Sequence, residues 1–349
     1  MTPLCVACRM PVVASAPPRV ICSGCARSYP VLRSGIPVLR AGADEACHST
    51  AGDLLALLHR ARGLDAMLGD RIARASPRSP ALLRIQAAAR SNQAYVSKLL
   101  DTLGQTIDIS SATPSVHGTA SLQMGYLIRD WSGQPDSEAM IAQVTASLWR
   151  QAGSTRGGTA VVLGAGAGRF AWELTASFDP VIAVELSVGA ALTFALLGEG
   201  PLDLHEQDDQ NVASVAELCT PVRCALPEDP VRRHRLRWMV ADALQVPLAS
   251  GSAAAVFSVY FSDRAPPRPM LDEVVRLLAP GGRFVHLGPF NYRDPDLEAT
   301  PTTEEWCELV EARGLRITSR EWLSHPVLPS RQLVQPVARA FACGAVLGA

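Results

Sequence analysis

The chain has 349 residues, a formal net charge of −1, 48% hydrophobic residues and 19% charged residues. That balance excludes wholesale disorder and leaves room for two domains, or one large domain with an appendage. It also supplies no global attraction to nucleic acid or to an anionic membrane. Lys98 is the one lysine, so nearly all the positive charge is arginine. No run approaches the roughly 18 apolar residues of a membrane span, and "MTPLCVACRM" lacks a basic segment followed by an apolar core. Nine cysteines in a chain without a visible signal read as metal ligands and buried thiols, with a cytoplasmic location as the expectation.

The first 46 residues are rich in Cys, Pro and β-branched residues, and carry five arginines with no acid before Asp44. "CVAC" at 5–8 and "CSGC" at 22–25 place two C-x-x-C turns thirteen residues apart. Each turn aims two sulfurs at one point, so Cys5, Cys8, Cys22 and Cys25 form a tetrahedral S4 set of the kind zinc prefers. A segment this short cannot otherwise bury enough surface to fold. Cys47 and His48 follow closely, but four better ligands already exist. The segment "YPVLRSGIPVLR" resembles the end of Trm112-type zinc ribbons, which often precede or partner methyltransferases. That resemblance implies a small β-domain with a structural zinc ion, or one that presents substrate.

From about 49 to 105, apolar residues recur at three- and four-residue spacing, and "SPRSP" (76–80) interrupts the helical pattern. "DISSATPSVHGTAS" reads as a loop and "SEAMIAQVTASLWRQAG" as a helix closed by Gly153. Residues 47–155 thus form a helical segment ahead of a third region, 156–349. There short apolar strands alternate with helices: "TAVVLGAG", "RFAWELTAS", "VIAVEL", "VGAALTFALLG", then "RWMVADA", "AAAVFSVYF", "MLDEVVRLLA" and "GRFVHLG". This alternation predicts a doubly wound parallel sheet. The last stretch, "VARAFACGAVLGA", predicts a terminal strand on an antiparallel edge.

"VVLGAGAGRF" sets Gly164, Gly166 and Gly168 between a strand and a helix, where the backbone can approach a ligand in the field of the helix N-terminus. Alone the turn suits a dinucleotide, a flavin or S-adenosylmethionine. Glu185, seventeen residues after Gly168, ends the next strand, where an acid can accept both hydroxyls of a ribose. After a further strand, Asp242 and the backbone N–H of Ala243 are placed to grip an adenine ring. "LAPGGRFVHLG" then gives a helix, a Pro-Gly-Gly turn and a strand. This order resembles class I S-adenosylmethionine methyltransferases. The resemblance implies a Rossmann-like α/β fold carrying that cofactor, with a nicotinamide enzyme of related fold as the alternative.

Several segments resemble the carnosine N-methyltransferase (N2227-like) family more closely. "GAGAGRFAWELT" is similar to its glycine loop, "IRDWSGQPDSE" to its "RDWS" motif, "VYFSD" to its "FFID", and "FVHLGPFNY" to its "NLGPLLYH". The four occur in the family's order, within roughly residues 126 to 320. The resemblance implies that Asp263 holds the imidazole of the acceptor, and that Arg129, Trp131 and Arg169 help enclose cofactor or substrate. It sets Tyr260, Phe261 and Asn291 along the acceptor, and matches Tyr292 to a family tyrosine. Arg293 stands where the family has a substrate-contacting histidine, a departure that leaves carnosine itself open and the transfer chemistry intact.

Methyl transfer from a sulfonium needs a neutral nucleophile held in line, with bulk water kept out. For imidazole, a carboxylate on the second ring N–H fixes the tautomer and stabilises the developing cation; for an amine it would accept the departing proton. The bland alternative makes Asp263 a turn or N-cap residue before "RAPPRPMLDEVV". His286, in an apolar strand, reads as a core histidine.

The expectation is therefore an N-methyltransferase acting on an imidazole nitrogen of a small molecule or peptide. An rRNA base methyltransferase is the alternative enzyme, and the near-neutral charge with a lone lysine argues against it. A non-catalytic S-adenosylmethionine-binding subunit is the third reading. Oligomeric state stays open.

Overall fold

A computed structural model describes residues 2–16, 18–74, 77–115, 124–207, 212–292, 300–328 and 336–348. The N-terminal unit is a four-stranded antiparallel sheet of β1 (Val12–Ala14), β2 (Arg19–Cys22), β3 (Ser28–Leu32) and β4 (Ile36–Pro37). Its small core is Val12, Tyr29, Leu32 and Ile36, with the sulfurs of Cys5 and Cys22 buried beside them. Two long helices follow, α1 (Ala43–Ala73) and α2 (Ser79–Gly104), packed on each other as a hairpin. The break between them falls at the proline-bearing "SPRSP" segment, and Pro80 sits in the first turn of α2, where its missing N–H costs nothing. Then come α3 (Met124–Trp131) and α4 (Pro135–Ala152), the latter closed by Gly153 at φ 59°.

The third region alternates as the sequence pattern requires. It runs β5 (Ala160–Leu163), α5 (Arg169–Leu174), β6 (Val181–Glu185) and α6 (Val188–Glu199), then a hairpin of β7 (Leu202–Gln207) and β8 (Cys219–Cys224). After α7 (Pro230–Arg235) and β9 (Leu236–Val240) come β10 (Ala253–Val259), α8 (Pro267–Leu277) and β11 (Leu278–Gly288). The chain ends with α9 (Thr303–Glu311), β12 (Leu315–Pro326) and β13 (Val337–Leu347).

Seven strands make the main sheet in the order β12-β13-β11-β10-β5-β6-β9. β9, β6, β5, β10 and β11 are mutually parallel, and β13 runs antiparallel to both its neighbours. The predicted antiparallel terminal strand is present, but it lies inside the sheet, and β12 takes the edge. The sequence hides β12 because its residues alternate between buried and solvent-facing positions, so no continuous apolar run marks it. β5 and β10, by contrast, are buried on both faces; β5 reads as an unbroken apolar string, and β10 as one interrupted by the buried Ser258.

The two faces of β10 feed two cores. Ala255, Phe257 and Val259 pack with Ile141, Leu148, Trp172 and Leu196 on one side. Val256 packs with Met270, Leu271, Val274, Trp306 and Val310 on the other. The strand order reverses between β5 and β10, so the crevice for a ligand opens beyond their C-terminal ends.

Candidate functional site

The turn after β5 folds as its glycines dictate. Gly164, Gly166 and Gly168 have φ of 63°, 57° and 91°, in the left-handed region open to glycine without strain. A Cβ on Gly168 would lie 2.6 Å from the Trp238 ring, and one on Gly164 would run into the ring of Phe261. A Cβ on Gly166 would meet nothing within 4 Å, so this position faces open space and a ligand can approach its backbone. Glu185, at the end of β6, accepts the Gly166 N–H at 2.8 Å on one oxygen and the Ser187 N–H at 2.9 Å on the other. Burial pushes its carboxyl up, against the pull of those two N–H groups. β9 pairs in register with β6, Glu185 opposite Val240, so exposed Asp242 and buried Ala243 stand at the neighbouring strand end. Asp242 also accepts the Leu244 N–H at 2.9 Å. The predicted ribose acid and the predicted adenine-side pair are thus brought together at adjacent strand ends.

The "RDWS" segment closes the other side of the turn. Trp131 is buried, its indole N–H donates to the Ala167 carbonyl at 2.8 Å, and its ring meets Trp172 edge-on at 6.3 Å. Arg169 spends its donors on the Asp130 carbonyl (2.7 Å), both Glu138 oxygens (2.8 Å each) and Glu173 (2.9 Å). It therefore ties α5 to α3 and α4. Arg129 pairs with the buried Asp130 at 2.6 Å through Nε, and its guanidinium lies 4.8 Å from the Tyr126 ring centre and 5.8 Å from that of Phe170. Burial opposes the Arg129 charge, but Asp130 outweighs it and holds the guanidinium above its ordinary value. Among the described residues the two Nη groups of Arg129 have no hydrogen-bond partner, which leaves a planar fork suited to a carboxylate.

Beyond β10 the chain turns sharply. Tyr260 has φ 56°, an uncommon conformation for a bulky residue, and its N–H donates to the Leu287 carbonyl at 2.7 Å. Gly288 permits that approach, since a Cβ there would sit 3.2 Å from the Tyr260 Cα. The Tyr260 hydroxyl lies 2.6 Å from His325 Nε2, while His325 Nδ1 lies 2.8 Å from the Pro326 carbonyl. Nδ1 must carry the hydrogen to satisfy that carbonyl, so Nε2 accepts from Tyr260.

The positive φ sends Tyr260 towards Phe170 on one core and Phe261 towards Gly164 and the other. Asp263 follows in a single 3-10 turn, Ser262–Arg264, where its Oδ2 accepts the Asn291 N–H at 3.1 Å. Tyr292 stands beside it, and burial together with the Asp263 carboxylate pushes the tyrosine hydroxyl up. Asp263, Asn291, Tyr292, Phe261 and Tyr260 thus gather round one strand tip. Arg293 lies outside the described residues.

At the N-terminus the sulfurs of Cys5, Cys8, Cys22 and Cys25 all lie within 4.8 Å of one another. The Cys5–Cys25 and Cys8–Cys22 separations are 3.7 and 3.3 Å, close to the roughly 3.8 Å edge of a tetrahedron with 2.3 Å zinc–sulfur bonds. Backbone N–H groups of Ala7, Gly24 and Cys25 point at the sulfurs of Cys5 and Cys22 from 3.3–3.4 Å, which suits thiolate charge. The donor set fits zinc. Cys47 and His48 stand apart: Cys47 is buried, and His48 bonds the carbonyls of Asp44 and Asp108.

This unit is docked on the main sheet beside the adenine-side loop. Val38 bridges Val240 in parallel, and the Leu39 N–H donates to the Val240 carbonyl at 2.7 Å. Arg9, directly after Cys8, donates to the carbonyls of Val246 (3.1 Å) and Leu248 (2.8 Å), and the Leu4 N–H reaches the Pro247 carbonyl at 2.8 Å.

Arg9, Glu138 and His325 escaped sequence reasoning. Arg9 binds backbone carbonyls, which leave no signature in side-chain identity, and His325 meets Tyr260 across 65 residues of chain.

Residues 161–286 match a family model described as a methyltransferase domain. No curated protein matches the chain. Among solved structures, the chain is similar to the YcgJ protein of Bacillus subtilis at 13% identity and a TM-score of 0.42, over 61% of this chain and 99% of that one. It is similar to the N-methyltransferase NodS of Bradyrhizobium japonicum WM9 at 13% identity and a TM-score of 0.40, over 62% and 99%. It is also similar to phosphoethanolamine N-methyltransferase 2 of Haemonchus contortus in complex with S-adenosyl-L-methionine, at 12% identity and 0.40, over 60% and 53%. At these scores the three structures carry no functional weight. The domain match, on a sheet of this strand order, makes residues 161–286 a class I S-adenosylmethionine-dependent methyltransferase domain.

Proposed function

We propose that the chain methylates an imidazole nitrogen of a histidine-derived small molecule or peptide, as the resemblance to carnosine N-methyltransferases implies. The observation that carries this reading is the placement of Asp263. Its carboxylate stands at the tip of β10, two residues from Phe261, which packs on the first glycine of the cofactor turn, and Asn291 fixes one of its oxygens.

S-adenosylmethionine, when bound, supplies an electrophilic methyl group on a sulfonium. Glu185 would accept from the ribose hydroxyls on the lone pairs its two N–H partners leave. Asp242 and Ala243 would hold the adenine, and the Arg129 fork the carboxylate of the methionyl part. Asp263 would accept the acceptor's ring N–H, which presents the other nitrogen's lone pair and stabilises the cation formed on transfer. Tyr260, Phe261 and Tyr292 would enclose the ring and exclude water. The N-terminal unit, in this reading, is a Trm112-type ribbon holding one structural zinc ion on its four cysteines. A cytoplasmic setting belongs to the same proposal: none of the nine cysteines is in a disulfide, four form the metal set, and Cys47, Cys219, Cys224, Cys307 and Cys343 are buried apart from it.

The test is release of S-adenosylhomocysteine by the purified protein with histidine, histidine dipeptides and a histidine-bearing peptide, with the methylated atom located by mass spectrometry and NMR. Asp263→Asn should retain S-adenosylhomocysteine binding and lose most turnover. Transfer to a non-imidazole acceptor, with none to these compounds, would overturn the reading.

A further inference from the structure

We infer that His286 is a positioning residue for Asp263, acting through Ser262; the inference rests on the acceptor-holding role proposed for Asp263. The 3-10 turn that carries Asp263 has no side-chain cap, and Pro266 and Pro267 follow it. Its one buried residue is Ser262, whose hydroxyl lies 2.7 Å from Ser258 Oγ and 2.8 Å from His286 Nδ1. All three side chains are buried. Ser258 and His286 are register partners on β10 and β11, so the serine hydroxyl of the turn is held directly over the junction of two central strands.

The direction of this chain of hydrogen bonds is set by burial. Among the described residues His286 Nε2 has no hydrogen-bond partner, and the ring is surrounded by Phe290, Trp306 and Phe341. A hydrogen on Nε2 would strand a donor in that aromatic cage, whereas a hydrogen on Nδ1 leaves only a bare lone pair, the milder defect. Nδ1–H therefore donates to Ser262 Oγ, and the Ser262 O–H is left to donate to Ser258.

The same ring supports the segment that faces Asp263 from the other side. His286 stacks on Phe290 (5.1 Å, 10° between planes), and Phe290 stacks on Tyr292 (6.1 Å, 8°). Asn291, between those two aromatic residues, donates its N–H to Asp263 Oδ2. One imidazole thus braces both the turn that carries the carboxylate and the strand end that hydrogen-bonds it. A phenylalanine at 286 would keep the stacking and lose the bond to Ser262. An alanine at 262 would remove a single oxygen.

The experiment compares Ser262→Ala and His286→Phe with wild type, each also in the Asp263→Asn background. Both single variants are expected to lower kcat at least about tenfold, with S-adenosylhomocysteine affinity within about twofold. In the Asp263→Asn background neither should lower it further, because residues acting as a unit are not additive. Ser262→Ala turnover at the wild-type rate, or an equal further loss in the Asp263→Asn background, would overturn the inference. A readout without acceptor separates it from the proposed function. In wild type the Asn291 amide resonance should move as Asp263 is protonated, and in Ser262→Ala that response should vanish. A wild-type response in Ser262→Ala overturns the positioning role, whereas absence of methyl transfer to imidazole compounds overturns only the proposed acceptor.

Discussion

The indole N–H of Trp131 donates to the carbonyl oxygen of Ala167, 2.8 Å away, and so fastens the end of α3 to the turn that lies between β5 and α5. The backbone of that turn is held from two sides, by this bond and by Glu185 on the Gly166 N–H. Preorganisation of this kind lowers the cost of binding a ligand against the turn.

Replacing Trp131 by phenylalanine would keep an aromatic ring against Trp172 and delete the donor. A net hydrogen bond is worth about 0.5–1.5 kcal/mol, so S-adenosylhomocysteine affinity should fall by roughly two- to tenfold while the fold persists. Calorimetric titration checks this, and unchanged affinity would show that the turn holds its shape without α3.

Glu185→Ala removes both N–H contacts and the oxygens proposed for the ribose. The expected loss in cofactor affinity is at least about tenfold, given the roughly 1.5–3 kcal/mol of a charge-assisted hydrogen bond. Glu185→Gln, which retains one acceptor oxygen, should fall between alanine and wild type. A glutamine variant as weak as alanine would mean that the charge, rather than the hydrogen-bonding geometry, matters.

Metal removal should loosen the docking of the N-terminal unit. Arg9 directly follows Cys8, a proposed zinc ligand, so disorder in the cysteine turn would free the arginine that holds Val246 and Leu248. A thiol-competent chelator should release one zinc ion per chain and lower Tm. Arg9→Ala should keep the zinc and cost about 1–2 kcal/mol in urea unfolding, since Arg276 still reaches both carbonyls. An Arg9→Ala protein as stable as wild type would show that the Val38–Val240 bridge and the Leu39 hydrogen bond suffice.

Burial lowers the His286 pKa to about 3. In the unfolded chain the imidazole titrates near its ordinary 6.5. Between those two values the unfolded state binds a proton that the folded state refuses, so stability falls as pH falls below about 6.5. The slope is about 1.4 kcal/mol per pH unit. Urea unfolding at pH 7 and pH 5 should therefore show wild type losing about 2 kcal/mol more than His286→Phe. Parallel losses in the two proteins would mean that the ring takes up its proton while folded.

Much of the site was legible in the chain. The glycines at 164, 166 and 168 announced a strand-to-helix turn whose backbone a ligand can approach, and the structure sets them between β5 and α5 with positive φ at all three. Paired C-x-x-C turns announced a sulfur cluster, and the four sulfurs converge. Arg169 shows the opposite case. The family resemblance implied that it helps enclose cofactor or substrate, while its donors are taken by Asp130, Glu138 and Glu173. Which acids would reach it depended on how α3 and α4 fold back, and no local pattern encodes that.

The sequence by itself determined the alternation of strands and helices, the glycine turn, the cysteine cluster and the carboxylate at the end of β10, because each follows from local periodicity or residue spacing. Only the tertiary structure decided that β13 lies inside the sheet, that Arg9 clasps the loop after Asp242, and that Tyr260 meets His325. Those relations join residues far apart in the chain through backbone carbonyls and buried rings. Such contacts form only once packing has excluded water, and by then the identity of each residue no longer reveals its partner.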